Sequence, residues 1–342
     1  MLLVSAYGPD ARRGNATTVR RYRAAAVRHG FVVDWVYGEG QALSAAVAER
    51  TAGRRFDVLH GHHALRTGPA LAATGLPFVL SEGGTEFELV AGDPGLRPVL
   101  CDVVSRAALI LCATEASRLE WLGAGLVAPR QARLLPRAVE TRPWMPRSTN
   151  GLLRSAYGIA PGTFLVLFAS GIRPGKDPLR ALEVFARLRA LVPDVALVFL
   201  GLPIDAGLSA EVRRRAAVVP GVVVAETVPA ERMIEAYADA DVILNTSRYE
   251  GLSNALLEAQ SIGRPVVAAD IPANVAAVPP WAQFAIFRTD DDAVSTLAAL
   301  ANDPVLRERE GLSGREFVQR HFAPDREAEA LLSAYREVAP FT

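Results

Sequence analysis

SRYEGLSNALLEAQSIGRPVVAAD, residues 247–270, carries the pattern from which the fold is read. It begins at the end of one apolar run, DVILNTS at 241–247, and closes in another, RPVVAAD at 264–270. Between them lie a glycine-containing turn and a helical stretch over 253–262. Two short buried-strand patterns joined through a helix make a βαβ unit, whose crossover leaves the strands parallel. The same grammar fills the rest of this half. FLVLFASG at 164–171 reads as a strand and DPLRALEVFARLRAL at 177–191 as an amphipathic helix. ALVFLG at 196–201 and GVVVAE at 221–226 are further strands, a helix covers 230–239, and 294–339 reads as helical apart from a break near Pro324.

An earlier half of the chain obeys the same rule without repeating the sequence. LLVSAY at 2–7, FVVDWVY at 31–37, DVLHGHH at 57–63, PFVLSEGG at 77–84 and ALILCATE at 108–115 are strand patterns, and VRRYRAAAVRHG at 19–30 is helical. Each strand runs into polar or glycine-rich residues, which places functional groups at strand carboxyl ends. Around 136–151, PRAVETRPWMPRSTNG breaks the pattern with three prolines and an Asn-Gly turn, marking a domain boundary. The expected fold class is α/β, with two doubly wound Rossmann-like domains facing a cleft. The first covers residues 1–146, with the C-terminal helix 322–342 packing back on it, and the second covers 152–321. That helix offers the stripe of Ala328, Leu331, Leu332 and Tyr335, which needs an apolar partner; its return to the first domain is what a family resemblance carried by residues 164–275 implies.

Composition narrows the function. The chain has 342 residues, half of them apolar and 22% charged, which excludes a mainly disordered protein and suits two cores. Net charge is +0, yet residues 1–150 hold 18 Arg against 13 Asp and Glu, and the remainder reverses the balance. A nucleic-acid binder would carry a denser basic stripe, so no nucleic-acid partner is expected. An anionic small molecule, or weak contact with an anionic membrane surface, stays open for the first half. MLLVSAYGPD is unlike a signal peptide, and no apolar run approaches the roughly 18 residues of a spanning helix, so a cytoplasmic location is expected. Cys101 and Cys112 are too few for a disulfide scaffold and read as buried packing.

Several groups carry chemistry. Ser253 and Asn254 open a helix after the strand ending at Ser247, a junction that offers backbone N–H groups and a positive dipole end to an anion. Glu250 precedes that turn and Glu258 lies within the helix; each carboxylate accepts hydroxyl hydrogen bonds, as a sugar and a ribose require, although two surface glutamates would show the same spacing. In FASGIRPGKDP at 168–178, Gly171 turns the chain and Arg173 and Lys176 follow. Two cations on such a loop can clamp a diphosphate. Lys176 is the only lysine among 36 arginines, which marks a position that needs an ammonium. Gly14 and Asn15, leading to Thr17 and Thr18, form a second anion-ready turn into a helix. His60, His62 and His63 invite a metal, but no acidic or cysteine partner is spaced with them. Asp290–Asp292 precede a helix and read as a cap. Neither metal nor cofactor is expected.

The segment Glu250-Gly-Leu-Ser-Asn-Ala-Leu-Leu-Glu258, followed by Gly263 and Pro265-Val-Val-Ala, resembles the E-x7-E element of family 4 glycosyltransferases of GT-B fold. Gly171, Arg173 and Lys176 resemble a slightly compressed form of that family's G-R-x-x-x-K clamp. The resemblance covers most of the chain and is strongest over 164–275. It implies a retaining, metal-independent transfer from a nucleotide diphosphate sugar, foremost a UDP-sugar such as UDP-N-acetylglucosamine. Glu258 would bind the ribose and Glu250 the donor sugar. The backbone of Gly251, Leu252, Ser253 and Asn254 would meet the diphosphate, and Arg173 and Lys176 would stabilise it. Gly14 and Asn15 resemble the family's first glycine loop. With Gly83-Gly-Thr-Glu86 and Lys176-Asp-Pro178, the Gly14-Asn-x-x-Thr18 form resembles the branch of selenosugar synthases, which brings in selenophosphate as an acceptor. Arg12 and Arg13 are candidates to meet such an anion. Gly83 stands where the family often has a histidine, so His60, His62, Gly84, Thr85 and Glu86 are the candidate sugar or acceptor contacts. A non-hydrolysing nucleotide-sugar epimerase, a silent nucleotide-sugar-binding protein and, least supported, a nicotinamide oxidoreductase remain alternatives. Release of free nucleotide with each new glycoside separates the first two from a transferase; the lack of a compact G-x-G-x-x-G after the opening strand counts against the third.

Overall fold

The computed structural model describes residues 1–11, 14–139, 148, 151–225, 227–282 and 285–339. Arg12 and Arg13, most of the expected boundary segment, Glu226 and residues 340–342 therefore lie outside the described residues. The chain divides into two units, Met1–Ala138 with Pro324–Thr342, and Val139–Ala323.

Unit 1 begins with β1 (Leu2–Ser5), α1 (Gly14–Arg28), β2 (Asp34–Tyr37) and α2 (Gly40–Thr51). It continues through β3 (Leu59–His62), α3 (Ala64–Ala72), β4 (Val79–Ser81), α4 (Glu86–Gly92) and α5 (Leu96–Arg106). β5 (Leu109–Cys112), α6 (Glu115–Gly123) and β6 (Ala132–Leu134) complete its first pass. All pairings are parallel, in the order β2-β1-β3-β4-β5-β6. The two-residue strand period sorts the core by face. Leu2 and Val4 pack with Leu43, Leu71, Val103 and Trp121, whereas Met1 and Leu3 pack with Val19 and Tyr22.

Unit 2 holds α7 (Leu152–Tyr157), β7 (Phe164–Phe168), α8 (Pro178–Leu191), β8 (Val195–Leu200) and α9 (Ala206–Ala216). β9 (Val222–Ala225), α10 (Met233–Asp239), β10 (Val242–Asn245), α11 (Asn254–Ser261) and β11 (Val266–Ala269) follow. α12 (Pro272–Ala276), β12 (Ile286–Phe287), α13 (Asp290–Asn302) and α14 (Pro304–His321) end the unit. Its parallel sheet runs β12-β11-β10-β7-β8-β9. Phe164, Val166 and Phe168 pack with Phe185 and Leu188 of α8 and Leu297 of α13.

The last helix, α15 (Pro324–Val338), belongs to unit 1. Its Ala328, Leu331, Leu332 and Tyr335 are buried with Met1, Leu3, Val19 and Tyr22. Arg21 donates two hydrogen bonds of 2.9 Å to Glu327, whose carboxylate also accepts the Ala138 N–H at 2.9 Å. The helical tail has a second break besides the one expected near Pro324: the Asp303 carboxylate caps α14 by accepting the N–H groups of Val305 and Leu306, and Pro304 takes the first turn. Cys112 is buried, whereas Cys101 is exposed on α5, contrary to the packing role expected for it. Among the described residues no helix is long and apolar enough to cross a membrane.

Candidate active site

In unit 2 the chain leaves β7 toward β8 and β9, but β10 starts the run to β11 and β12 on the other side. β7 and β10 are neighbours, so the loops after them diverge at a topological switch point, where open α/β sheets bind ligands. The β7 exit hugs the sheet. A Cβ on Gly201 would lie 2.0 Å from the Ser170 carbonyl oxygen, and one on Gly171 would lie 2.5 Å from Ile204 Cδ1. Pro174–Lys176 then form a 3-10 turn, and Asp177 takes a left-handed φ of 46° before Pro178 starts α8. A non-glycine residue there stores strain that its neighbours must hold. Thr246 donates its hydroxyl to the carbonyls of Lys176 and Asp177, at 3.0 and 2.8 Å. The Arg248 N–H bonds to the Gly175 carbonyl at 2.9 Å, and its guanidinium to the Asp177 carboxylate at 2.7 Å. The β10 exit thus fixes the β7 exit.

These loops bring Lys176 to Glu250, 74 residues apart in sequence, as an ion pair with both side chains largely buried. Glu250 Oε1 also accepts from the Ser247 hydroxyl at 2.9 Å and from Asn245 Nδ2 at 3.3 Å. Burial alone would raise the Glu250 carboxyl, but the Lys176 charge and hydrogen bond, the Ser247 hydroxyl and the Arg173 charge outweigh it and hold it below its ordinary value. Asn245 also donates to Ser253 Oγ at 3.2 Å. Ser253 is the N-cap of α11 and makes no side-chain cap to it. Leu252 is buried. Farther along α11, Glu258 Oε2 accepts the Tyr237 hydroxyl at 2.9 Å. Gly171, Arg173, Lys176, Glu250, Gly251, Leu252, Ser253, Asn254 and Glu258 therefore all belong to the two exit loops and the helix that follows. Asn245, Thr246 and Tyr237 are not among the residues the sequence pattern singles out; a polar Asn-Thr closing the apolar run DVIL is the available signal for the first two.

The first-unit candidates follow β1, β3 and β4. His62 and His63 line a small crevice with Ser5, Ala6, Tyr7, Asn15 and Ala16, at the start of α1 that Gly14 opens. His60 is wholly buried, with Nδ1 on the Tyr335 hydroxyl at 2.7 Å and Nε2 on Ser81 Oγ at 3.1 Å. The Glu86 carboxylate is buried as well, accepting the N–H groups of Gly83, Ala64 and Thr85 at 2.7, 3.1 and 3.0 Å. Burial opposes its charge, but His63 and those N–H groups hold it below its ordinary value. Both residues are consumed inside the protein, which corrects their expected role as direct ligand contacts. Gly83 has a structural reason too. A Cβ there would lie 2.3 Å from His63 Cδ2, so the His63 ring fills the space over it, reached through a φ of 78°. His63 Nε2 meets Thr85 Oγ1 at 3.0 Å, beside Gly84.

Among the described residues no three His, Cys, Asp or Glu side chains converge as metal ligands. In the triple aspartate, Asp292 completes a capping box with Thr289, Asp290 pairs with Arg180 at 2.6 Å, and Asp291 pairs with Arg187.

Two parallel six-stranded sheets with flanking helices define a GT-B fold. Sucrose-phosphate synthase from Thermosynechococcus elongatus has it, with a TM-score of 0.81 at 17% identity over 98% of both chains. The Anabaena protein HepE, solved with UDP and glucose, has it with a TM-score of 0.76 at 16% identity over 97% of this chain and 98% of that one. Residues 163–302, which contain the whole second-unit site, match the family model described as Glycosyl transferases group 1. Two curated relatives point the same way. Glycosyltransferase 1 domain-containing protein 1 of Xenopus tropicalis is 26% identical over 74% of each chain. The D-inositol 3-phosphate glycosyltransferase of Acidothermus cellulolyticus is 27% identical over 86% of this chain and 71% of its own. The chain is a glycosyltransferase that carries its group 1 segment in unit 2.

Proposed function

We propose that this glycosyltransferase moves a sugar from a UDP-linked donor to a small, anionic acceptor, with retention at the anomeric carbon and without a metal ion, in the cytoplasm. The observation that carries it is the Lys176–Glu250 pair at the β7/β10 switch point. An ammonium already oriented by a carboxylate is ready to meet a phosphate oxygen, while Glu250 keeps a lone-pair edge for sugar hydroxyls. Arg173 adds a second cation, and the start of α11 adds N–H groups and a dipole for the diphosphate. Glu258 takes the ribose hydroxyls, with the Tyr237 hydroxyl holding the carboxylate in place. As the glycosidic bond loosens, charge builds on the departing phosphate, and these groups stabilise it; the acceptor's proton passes to that oxygen, so no protein nucleophile is required. UDP in HepE and the inositol phosphate in a relative's name favour this donor and an acidic acceptor, with selenophosphate as one candidate.

Calorimetry with UDP tests the site. Glu258→Ala weakens UDP binding by about 1–3 kcal/mol, the scale of a lost charged hydrogen bond. A folded Glu258→Ala protein that binds UDP as the parent does overturns the assignment.

A further inference from the structure

The crevice at the start of α1 contains a buried polar atom to which the described residues offer no partner. His62 is 2% exposed, its Nδ1 lies 2.9 Å from Ser81 Oγ, and its Nε2 has no hydrogen-bond partner among the described residues. Ser81 also meets His60 Nε2, and His60 Nδ1 meets the Tyr335 hydroxyl of α15. The Tyr22 hydroxyl stands beside Ser81, and its ring stacks on His60 at 5.4 Å. Four side chains from β3, β4 and the final helix thus form one chain of hydrogen bonds that ends at the crevice.

Proton accounting gives that chain a direction. Burial raises both phenols well above their ordinary value, so each keeps its proton. If Tyr335 donates to His60 Nδ1, His60 donates from Nε2 to Ser81, Tyr22 fills Ser81's second lone pair, and Ser81 gives its own proton to His62 Nδ1. His62 is then left with its proton on Nε2. Reversing the chain strands the Tyr335 proton, and turning Ser81 toward Tyr22 strands the Tyr22 proton. Five protons share these four hydrogen bonds, so every arrangement leaves one donor over, and on either phenol that donor lies inside the core, the costly outcome. The direction that satisfies both phenols leaves over the His62 Nε2–H instead, on the member of the chain that lines the crevice, where a ligand can accept it.

We propose that Tyr335 is a positioning residue, which acts through His60 and Ser81 to fix His62 as an Nε2–H donor to an oxyanion held at the start of α1. The first turn of α1 contains no acidic residue to repel an anion at its positive end, and Asn15 lines the same crevice. Burial, with the charges of Arg137 and Arg21 adding, holds the His62 imidazole neutral, so its contribution is a directed hydrogen bond rather than a charge. Unit 1 carries this arrangement by itself, whatever donor unit 2 takes.

Nitrogen NMR of the full chain with labelled histidine reads the tautomer directly. His62 is expected in the Nε2–H form, and adding inorganic phosphate at constant ionic strength moves its Nε2–H resonance saturably. In Tyr335→Phe the His62 signals shift toward a mixture of tautomers, and phosphate affinity falls about three- to tenfold, as for one weakened hydrogen bond. His62→Gln, which keeps a donor at that reach, binds phosphate within about threefold of the parent, while His62→Phe loses about tenfold or more. An Nδ1–H tautomer in the parent, a tautomer unmoved in Tyr335→Phe, or phosphate that leaves the His62 signals in place overturns the proposal. A Tyr335→Phe protein that unfolds does not rescue it, because the parent tautomer and the His62 pair decide independently.

Discussion

Replacing Lys176 by alanine removes the cation that compensates Glu250 and, on the proposed mechanism, the charge that meets the departing phosphate. kcat/KM for the donor is expected to fall by about two to three orders of magnitude, the scale of one lost oxyanion-stabilising donor. Lys176→Arg recovers only part, because a planar fork does not replace a compact ammonium in a tight loop. Steady-state kinetics on the three proteins decide this; an alanine variant with parental turnover makes Lys176 an ordinary loop lysine. A second residue speaks through pH. Glu82 is buried, and burial pushes its carboxyl up to about 7, with Glu86 adding and hydrogen bonds from the Ala113 N–H, Ser117 and Trp121 opposing. A folded value above the unfolded one means the native state holds the extra proton. Glu82's contribution is therefore full below the ordinary carboxylate range and is lost as pH rises through about 7, a change of order 3 kcal/mol. Trp121 Nε1 lies 3.0 Å from Glu82 Oε2, so its indole N–H resonance titrates near neutrality in the parent and is flat in Glu82→Gln. A parental trace that stays flat from about pH 5 to 9 refutes the shift. Local spacing along the chain suffices to pick out the lone lysine and both glutamates. Tyr335 meets His60 from 275 positions away, and no periodicity in either stretch encodes that meeting.

Helix α11 owes its place to glycine in α14. A Cβ on Gly311 would sit 2.1 Å from the Gly263 carbonyl oxygen, and one on Gly314 2.8 Å from Gln260 Oε1. Gly311 faces main chain, which cannot turn aside, whereas Gly314 faces the end of a side chain. Elsewhere in a helix, alanine gains about 1 kcal/mol over glycine by propensity. At Gly311 forcing α14 away from the turn that follows α11 costs about 1–3 kcal/mol, as overpacking does, so the net sign is destabilising. Gly311→Ala is expected to lower Tm and, by shifting the helix that bears Ser253 and Glu258, to weaken UDP binding. Gly207→Ala in α9, where the new Cβ finds only Asp205 at 3.6 Å, is expected to raise Tm slightly. Thermal melts of both proteins separate packing from propensity; a more stable Gly311→Ala protein defeats the close-packing account. The βα alternation makes these elements legible in kind; the helix break at Asp303 is legible too, in an Asp-Pro pair that caps one helix start, but a reading by apolar periodicity runs past it.

At the scale of the molecule, the N-terminal sheet is finished by the end of the chain, and the cost of removing that end can be bounded. Leu331, Leu332 and Tyr335 of α15 are at most 5% exposed and pack with residues of β1 and α1. Burying each is worth about 1.5–3 kcal/mol, so the three together supply roughly 5–9 kcal/mol. A domain's whole stability is only about 5–15 kcal/mol. Deletion also leaves Arg21 and the Ala138 N–H without the Glu327 carboxylate, a buried mismatch that adds to the loss. A chain ending at residue 323 is therefore expected to lose the cooperative melting of unit 1. Unit 2, whose core of Phe164, Phe185, Phe199 and Leu297 contains no residue of α15, keeps a transition of its own. The apolar stripe of this helix specifies that a partner exists and not which one; the expectation that the partner is the first domain comes from the family resemblance and not from the periodicity. Calorimetric melting of the truncated chain, with a 324–342 peptide added back, measures both halves of the claim. Restoration of the lost transition by the peptide supports it, and a truncated chain that melts like the parent removes α15 from the core of unit 1.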